Sequence, residues 1–93
     1  MIKSFLHKGL EVFFRTGKKT GIQAAHARRL QIMLTMLNVA KATTQAMNAP
    51  GFGLQALKGD LKGHWSVTVN GNWRISFRFE EEDVILVDYQ GCH

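Results

Sequence analysis

The chain of 93 residues contains a single cysteine and a single proline. One cysteine excludes an internal disulfide framework and suits a reducing compartment. One proline, beside a hydrophobic content of 45%, argues against a disordered tail. No apolar run approaches the roughly 20 residues that span a bilayer, and Lys3, His7 and Lys8 interrupt the stretch where a signal peptide would be apolar. We therefore expect a soluble cytoplasmic protein with no membrane partner.

Acidic residues are almost absent from the first 79 positions. All twelve lysines and arginines lie there beside only Glu11 and Asp60, which gives this stretch a net charge of +10. The other five acids lie within the last 14 residues, and four of them are consecutive at 80–83. A broad positive field concentrates phosphate backbones and speeds encounter with them. Charge alone leaves open a surface for nucleic acid or the ribosome and a solvated surface that only keeps a small domain soluble.

Signatures of cofactors and metals are also missing. The sequence has no Walker loop, no GxGxxG motif and no cysteine–histidine cluster with zinc spacing. Its four histidines are scattered, and no nucleophile-elbow motif indicates a serine hydrolase. We therefore expect no cofactor and no metal site.

A chain of this length can bury one modest core, so we expect a single domain over residues 1–93. In the first half, apolar residues recur with helical spacing, at Leu6, Leu10, Phe13 and Phe14. The pattern stops near Gly17, which predicts that a first helix ends there.

A second helical pattern follows. Thr20 and Gln23 have the spacing of a capping box, in which two side chains satisfy free backbone N–H groups at the start of a helix. Apolar residues over 22–40 keep a helical period for about five turns. The polar side of this helix is expected to carry three basic side chains, His26, Arg28 and Arg29. The cluster of Asn, Pro and Gly at 48–53 then indicates a loop.

The second half alternates apolar and polar residues, which predicts two strands joined at residues 70–72. Their apolar sets must share a face. A two-residue loop would place Val67 opposite Arg74 and mix the faces, so we predict a three-residue loop with Gly71 or Asn72 in the left-handed conformation. The expected pairs are Val69–Trp73, Val67–Ile75 and Trp65–Phe77 on one face, and His64–Arg78, Ser66–Ser76 and Thr68–Arg74 on the other.

A last strand is predicted from Val84 to Tyr89, after the acidic turn. With Glu81 and Glu82 in the turn, the expected pairs are Phe79–Val84, Phe77–Leu86, Ser76–Val87 and Arg74–Tyr89. Ile85, Val87 and Tyr89 then lie on the arginine face, and a strand that is apolar on both sides suggests a central position. The order of elements predicts an α+β fold, in which N-terminal helices pack on one face of a C-terminal antiparallel sheet and leave a basic face open.

The open basic face carries the residue types that RNA cleavage without a metal requires. In that reaction the substrate's 2′-hydroxyl attacks the adjacent phosphorus, a base takes its proton, cations hold the growing negative charge and an acid protonates the leaving oxygen. Arg74 can grip a phosphoryl group with two donors, and Lys58 supplies a point charge. Histidine is the side chain best suited to proton transfer, which nominates His93, and Tyr89 can stack on a base or donate a hydrogen bond. These residues alone leave an enzyme and a basic binding module equally open.

Two strings in the second half resemble a known toxin family. LKGDLKGHWSV at 57–67 and NWRISF at 72–77, together with the opening MIKSF and Gly17, are similar to the HigB-type plasmid maintenance killer toxins of the RelE/ParE superfamily. The similarity covers essentially the whole chain. It implies a compact α+β toxin that enters the ribosomal A site and cuts translated mRNA as a metal-independent endoribonuclease.

The resemblance also implies partners and site residues. The partners are a cognate HigA-like helix-turn-helix antitoxin, the 70S ribosome with its mRNA, and operator DNA only through the antitoxin. Lys58 and Arg74 match cationic positions of the family's cleavage site, and Gln55 stands where the family often has a histidine. The residues expected to contact RNA or the ribosome are Gln55, Lys62, His64, Arg78, Arg28 and Arg29.

The end of the chain departs from the family's usual Asp-Tyr-His. A gap-free alignment from Arg74 keeps the terminal histidine as His93. A shorter acidic hairpin instead keeps Asp88 and Tyr89 and puts Gln90 in place of the histidine. We favour His93 as the catalytic residue, because glutamine cannot transfer a proton near neutrality.

Two other functions stay open on the sequence. The first is a ParE-like gyrase poison, which acts by binding and performs no RNA chemistry. The second is a decayed toxin that only binds RNA or the antitoxin, which the altered C-terminus favours. The retained cations at positions 58 and 74 favour the nuclease.

Overall fold

The structure is a computed structural model that describes residues 1–41 and 45–91. Its helices are α1 (Lys8–Thr16) and α2 (Ala27–Asn38), and its strands are β1 (Gln55–Ala56), β2 (His64–Asn70), β3 (Trp73–Glu80) and β4 (Asp83–Gly91). Short 3₁₀ turns lie at Ala24–His26, Gln45–Met47 and Gly59–Leu61. The strands form an antiparallel sheet in chain order. The predicted α+β arrangement, helices first and an antiparallel sheet afterwards, is confirmed.

The first helix has a cap at each end. At its start, Nδ1 of His7 accepts a hydrogen bond of 2.9 Å from the Leu10 N–H. At its end, Gly17 adopts the left-handed conformation with φ 81°, and its N–H bonds the Phe13 carbonyl at 2.8 Å. The predicted end near the glycine is confirmed. Leu6, which we expected on the apolar stripe, precedes the helix and is exposed.

The second helix is shorter than predicted. A 3₁₀ turn at Ala24–His26 precedes it, and Gln23 makes no capping bond through its side chain, so the predicted capping box with Thr20 is wrong. Because the regular helix begins only at Ala27, His26 does not follow the helical period. Its ring is buried against the sheet. The predicted position of His26 on the polar side is therefore wrong.

The β2–β3 hairpin follows the predicted register over most of its length. The five pairs predicted between residues 64–68 and 74–78 are confirmed. At the turn, Asn70 rather than Val69 pairs with Trp73, because β2 carries one extra residue there. The predicted pair Val69–Trp73 and the predicted three-residue loop are therefore wrong, and the turn has two residues, 71 and 72. This bulge keeps the Val69 side chain in the core. The turn glycine has the predicted left-handed conformation, with φ 54°.

The β3–β4 hairpin starts in the predicted register and then leaves it. Phe79 pairs with Val84, as predicted. Beyond Ile85 the register shifts by one residue, and Leu86 sits at this second bulge with a left-handed φ of 56°. The observed pairs are Ser76–Asp88, Ile75–Tyr89 and Arg74–Gln90, so the predicted pairs Phe77–Leu86, Ser76–Val87 and Arg74–Tyr89 are wrong.

The second bulge changes which side chains of β4 face the core. Val87 and Tyr89 are buried on the face of Ile75, not on the arginine face as predicted. Ile85 does share a face with Arg78, as predicted. The extra residue is the physical reason, because each residue added to a strand turns all later side chains to the opposite face.

The first residues of the chain pair with the outer edge of β4. Ile2 and Phe5 form parallel bridges to Val84 and Val87. The Ile2 N–H also bonds Oδ1 of Asn38 at 3.0 Å, which ties this segment to the end of α2. β4 is the last strand of the sheet, so its predicted central position is wrong. The two bridges from the N-terminal segment cover its outer edge in part, which suits its apolar character.

The buried core lies between the helices and one face of the sheet. Its largest members are Leu10, Leu30, Met33, Leu34 and Leu37 from the helices and Val67, Ile75, Phe77, Val84 and Val87 from the sheet. Because the core lies between the helices and one face of the sheet, the other face is left accessible.

Within the ranges given above, no helix is both long and apolar enough to cross a membrane.

Candidate functional site

The accessible face of the sheet carries polar side chains in rows that cross the strands. Paired residues of antiparallel strands share a face, so the register defines the rows. They are Thr68–Arg74–Gln90, Gln55–Ser66–Ser76–Asp88 and His64–Arg78–Ile85. We call these residues the open face. They include four of the site residues predicted from the sequence, which are Gln55, His64, Arg74 and Arg78.

Arg74 is the best anion-binding group of the open face. It lies on β3 between Thr68 and Gln90, and its side chain is half-buried. Its guanidinium has no ion pair and no hydrogen-bond partner among residues 1–41 and 45–91. Partial burial weakens the hydration of this cation, so its free donors favour an anion that they can hold bidentately.

Lys58 borders the other end of the open face. It is exposed at the start of the 3₁₀ turn Gly59–Leu61. The Leu57 N–H bonds the His64 carbonyl at 2.9 Å, which docks this segment on the beginning of β2. Since His64 and Thr68 are four residues apart on one strand, roughly 13 Å separates their rows. The backbone that carries Lys58 therefore meets the sheet at the row of His64, two rows away from that of Arg74.

Two serines form the floor between these cations. Ser66 and Ser76 pair across β2 and β3 and are only 3% and 5% exposed. Their side chains are short, so the larger neighbours Arg74 and Arg78 stand above them on the same strand. The sequence predicted that the serines face each other but suggested no role for them. Along β3, the buried serine pair therefore lies between Arg74 and Arg78.

Asp88 is the acid of the open face. It is half-buried opposite Ser76, and its Oδ1 accepts a hydrogen bond of 2.9 Å from the Tyr89 N–H. It has no ion pair with a cation in the described part of the chain. The sequence analysis considered Asp88 only in the alignment with a shorter acidic hairpin. The bulge in β4 places it on this face.

Tyr89, which the sequence nominated as catalytic, lies on the opposite face of the sheet. Its hydroxyl is 2.7 Å from Nδ1 of His26 and accepts a hydrogen bond of 3.4 Å from the Gln23 N–H. Its ring stacks on Trp73 at 4.8 Å between centroids. Burial raises the pKa of the Tyr89 hydroxyl above its usual value of 10.0, and the bond from Gln23 opposes this only in part. The side chain is thus inside the protein and does not contact the open face.

Arg29, nominated for RNA contact, has its guanidinium engaged by the protein itself. Nη2 donates to the Gly51 carbonyl at 2.7 Å and to the Thr68 carbonyl at 3.1 Å. The guanidinium also lies 5.2 Å from the ring centre of Phe52. These contacts fasten the loop before β1 to the hairpin. Arg28 is exposed, beside a groove of about 550 Å³ between the helices.

The remaining nominated residues fall into two groups. Lys62 is exposed just after the 3₁₀ turn of Lys58, and Arg78 is exposed on β3. Gln55 is exposed on β1, and His64 is half-buried at the start of β2. These four border or belong to the open face. His93 lies outside the described residues.

Beyond Arg78, the next row on this face of the sheet is Glu80–Asp83, so its negative charge lies mainly at the acidic turn. The ion pairs found in the described ranges join the N-terminal amine to Asp83 at 3.6 Å and Arg15 to Glu11 at 3.1 Å. Neither involves a cation of the open face. In the same ranges, no group of three His, Cys, Asp or Glu side chains lies close enough to hold a metal ion. The site is therefore a cationic surface with a polar floor and the carboxylate of Asp88, bordered beyond Arg78 by the acidic side chains of Glu80 and Asp83.

Comparison with known proteins gives one consistent result. Residues 3–93 match the family described as RelE-like toxin of type II toxin-antitoxin system HigB. The chain is 39% identical over 93 residues, the full length of both proteins, to the protein named Endoribonuclease HigB from Proteus vulgaris. It is 32% identical over 98 residues to Toxin HigB-1 from Vibrio cholerae serotype O1, with all of this chain and 98% of that toxin aligned.

Proposed function

Because the chain belongs to the HigB-like toxin family, we propose that it is an endoribonuclease that cuts mRNA on the ribosome and thereby stops translation. The observation that carries this proposal is the half-buried Arg74, whose donors are unpaired within the described chain. It lies on a face with further free cations and a polar floor. Such a surface suits a phosphodiester better than a neutral or cationic ligand.

The proposed chemistry uses the substrate's own 2′-hydroxyl. Its oxygen forms a bond to the adjacent phosphorus while the bond from phosphorus to the 5′-oxygen breaks, leaving a cyclic phosphate and a free 5′-hydroxyl. Arg74 holds the negative charge that develops on the phosphoryl oxygens, and Lys58 adds a second positive charge at the far end of the open face. The nucleophile comes from the RNA, so this route requires no metal-bound water.

Two groups are proposed for proton transfer. His93 is the proposed proton carrier, on the gap-free alignment of the sequence. Asp88 lies on the open face opposite Ser76 and is a second group able to accept the 2′-hydroxyl proton. Tyr89 is buried on the other face. We therefore propose that it does not contact RNA and that it serves the packing of the protein interior instead.

A type II toxin has an antitoxin partner. We propose that this partner is a HigA-like helix-turn-helix protein and that operator DNA is bound only through it. We further propose that the toxin acts in the cytoplasm on the 70S ribosome. The net charge of +5 supports a ribosomal target, because ribosomal RNA presents a dense array of phosphates.

The test compares Arg74→Ala with Arg15→Ala, which removes the same charge from α1. Arg74→Ala should lower the rate of mRNA cleavage by programmed 70S ribosomes by about 10²–10³, because it removes a preorganised partner of the developing oxyanion. Arg15→Ala should cleave like the wild type. Circular dichroism checks that both variants are folded.

Primer extension on mRNA from induced cells separates the alternatives. Discrete cuts that depend on translation support the proposed function. DNA damage without mRNA cuts would identify a gyrase poison, and ribosome binding without cuts would identify a decayed toxin. Full cleavage by a folded Arg74→Ala variant would overturn the role of Arg74.

A further inference from the structure

The bulge at Leu86 decides which side chains of β4 lie beside the arginines. Before the bulge, Phe79 pairs with Val84. After it, Ser76 pairs with Asp88. Without the extra residue, the regular continuation from the Phe79 pair would place Val87 opposite Ser76.

This difference changes the chemistry of the open face. In the regular register, Val87 and Tyr89 would stand beside Ser76 and Arg74, and the face would be largely apolar there. In the observed register these positions hold Asp88 and Gln90. A shift of one residue exchanges the two faces of a strand, so the polar end of the open face depends on the bulge.

The first anchor of the bulge comes from the N-terminal segment. Leu86 has a left-handed backbone, which is strained for leucine. Its N–H does not continue the ladder and instead donates to Oγ of Ser4 at 2.9 Å. The N–H of Val87 bonds the Ser4 carbonyl at 3.2 Å. Ser4 thus accepts, through one hydroxyl and one carbonyl, from two consecutive N–H groups at the bulge.

The second anchor lies three residues further along β4. The Tyr89 hydroxyl is hydrogen-bonded to Nδ1 of His26 at 2.7 Å, and both side chains are more than nine-tenths buried. In the regular register Tyr89 would lie on the other face and this bond would not exist. Trp73 also contacts both rings, at 4.8 Å from Tyr89 and 5.7 Å from His26. The bond is therefore specific to the bulged register.

We propose that Ser4 and His26 are positioning residues of the nuclease, which hold the bulged register of β4 and so keep Asp88 and Gln90 beside Arg74. Neither residue belongs to the open face, and they act from the edge and the back of the sheet. This inference rests on the proposed function for its effect on cleavage, but the register itself is measurable without any activity.

The test uses single and double variants with conservative partners. Ser4→Ala and His26→Ala remove the two anchors. Ser4→Thr keeps the hydroxyl, and His26→Asn keeps a hydrogen-bonding amide near the position of Nδ1. For each purified toxin, nuclear Overhauser contacts across β3 and β4 report whether Ser76 faces Asp88 or Val87, and cleavage on programmed ribosomes gives kcat and KM.

We expect the double alanine variant to lose the Ser76–Asp88 contact and at least tenfold in kcat, with KM within about twofold because the cations that bind RNA remain. The conservative variants should restore both the contact and kcat. If the double variant does not fold, the same contact and kcat are measured on the single variants. A folded alanine variant that keeps both the contact and kcat would overturn the proposal, as would loss of kcat with the contact retained. An inactive wild type with the contact present would refute the proposed function and leave the register anchors standing.

Discussion

Replacing Arg29 by methionine tests whether this arginine serves the fold or the RNA. Its neighbour Arg28 provides a matched control, because both side chains were predicted to contact RNA and, among the described residues, only Arg29 has hydrogen-bond partners. Arg29 donates to the carbonyls of Gly51 and Thr68. Methionine keeps most of the apolar length of the side chain over Phe52 but removes the charge and every donor.

The expected cost follows from these contacts. A hydrogen bond to a charged group contributes about 1.5–3 kcal/mol, and partial exposure of the Gly51 and Thr68 bonds places them at the lower end of that range. The interaction with the Phe52 ring adds about 0.5–1 kcal/mol. Because these terms overlap, we expect Arg29→Met to lower the free energy of unfolding by about 2–3 kcal/mol. For a domain of this size this corresponds to a loss of about 10–20 °C in Tm.

Urea unfolding followed by tryptophan fluorescence measures the difference. Arg28→Met should change the free energy of unfolding by less than about 0.5 kcal/mol, since the side chain is exposed. Both variants lose one positive charge, so a comparison of their ribosome association removes the general effect of charge. Equal stability of the two variants would refute the structural assignment of Arg29.

Two further substitutions and one titration test other parts of the structure. Gly9→Ala should lower the free energy of unfolding by about 1–2 kcal/mol despite the helix preference for alanine, because its Cβ would lie 2.6 Å from the Gly21 carbonyl oxygen; increased stability in thermal unfolding contradicts this. The single tyrosine, Tyr89, should ionise above pH 10 in the folded toxin and near pH 10 in urea, as followed by phenolate absorbance. Its raised pKa means that stability is retained below pH 10 and lost as the pH rises further. Lys58→Ala should weaken ribosome pelleting at low salt, and the deficit should shrink as salt rises; equal pelleting at low salt speaks against a phosphate contact.

The pairing of β2 with β3 was predictable because the two strands alternate without interruption. Only one register places both apolar sets on the same face, and the structure has it from His64 to Thr68. Arg74 could therefore be assigned to the face opposite the helices from the sequence. The bulge at Val69 could not be predicted, because nothing in the sequence indicates that an apolar residue next to a turn lacks a partner on the neighbouring strand.

His26 shows a different limit. Helical periodicity extended the second helix back to Ile22 and put His26 on its polar side. The chain instead makes a 3₁₀ turn before Ala27, and the ring enters the core. Nothing in the local sequence predicts this, since the partner that satisfies the ring, Tyr89, is 63 residues away.

The bulge in β4, in contrast, was encoded in the polar residues of that strand. Val84 must face the core because it pairs with Phe79, and this phase alone would bury Asp88 and Gln90. Those two residues are exposed or half-exposed only if the phase reverses between them and Val84. The intervening residues 85–87 are all apolar, so the extra residue of the bulge can lie among them without placing a polar side chain in the core. The same irregularity that defeats a simple alternation therefore gives the open face its carboxylate, and the chemistry of the site depends on a residue, Leu86, that takes no part in it.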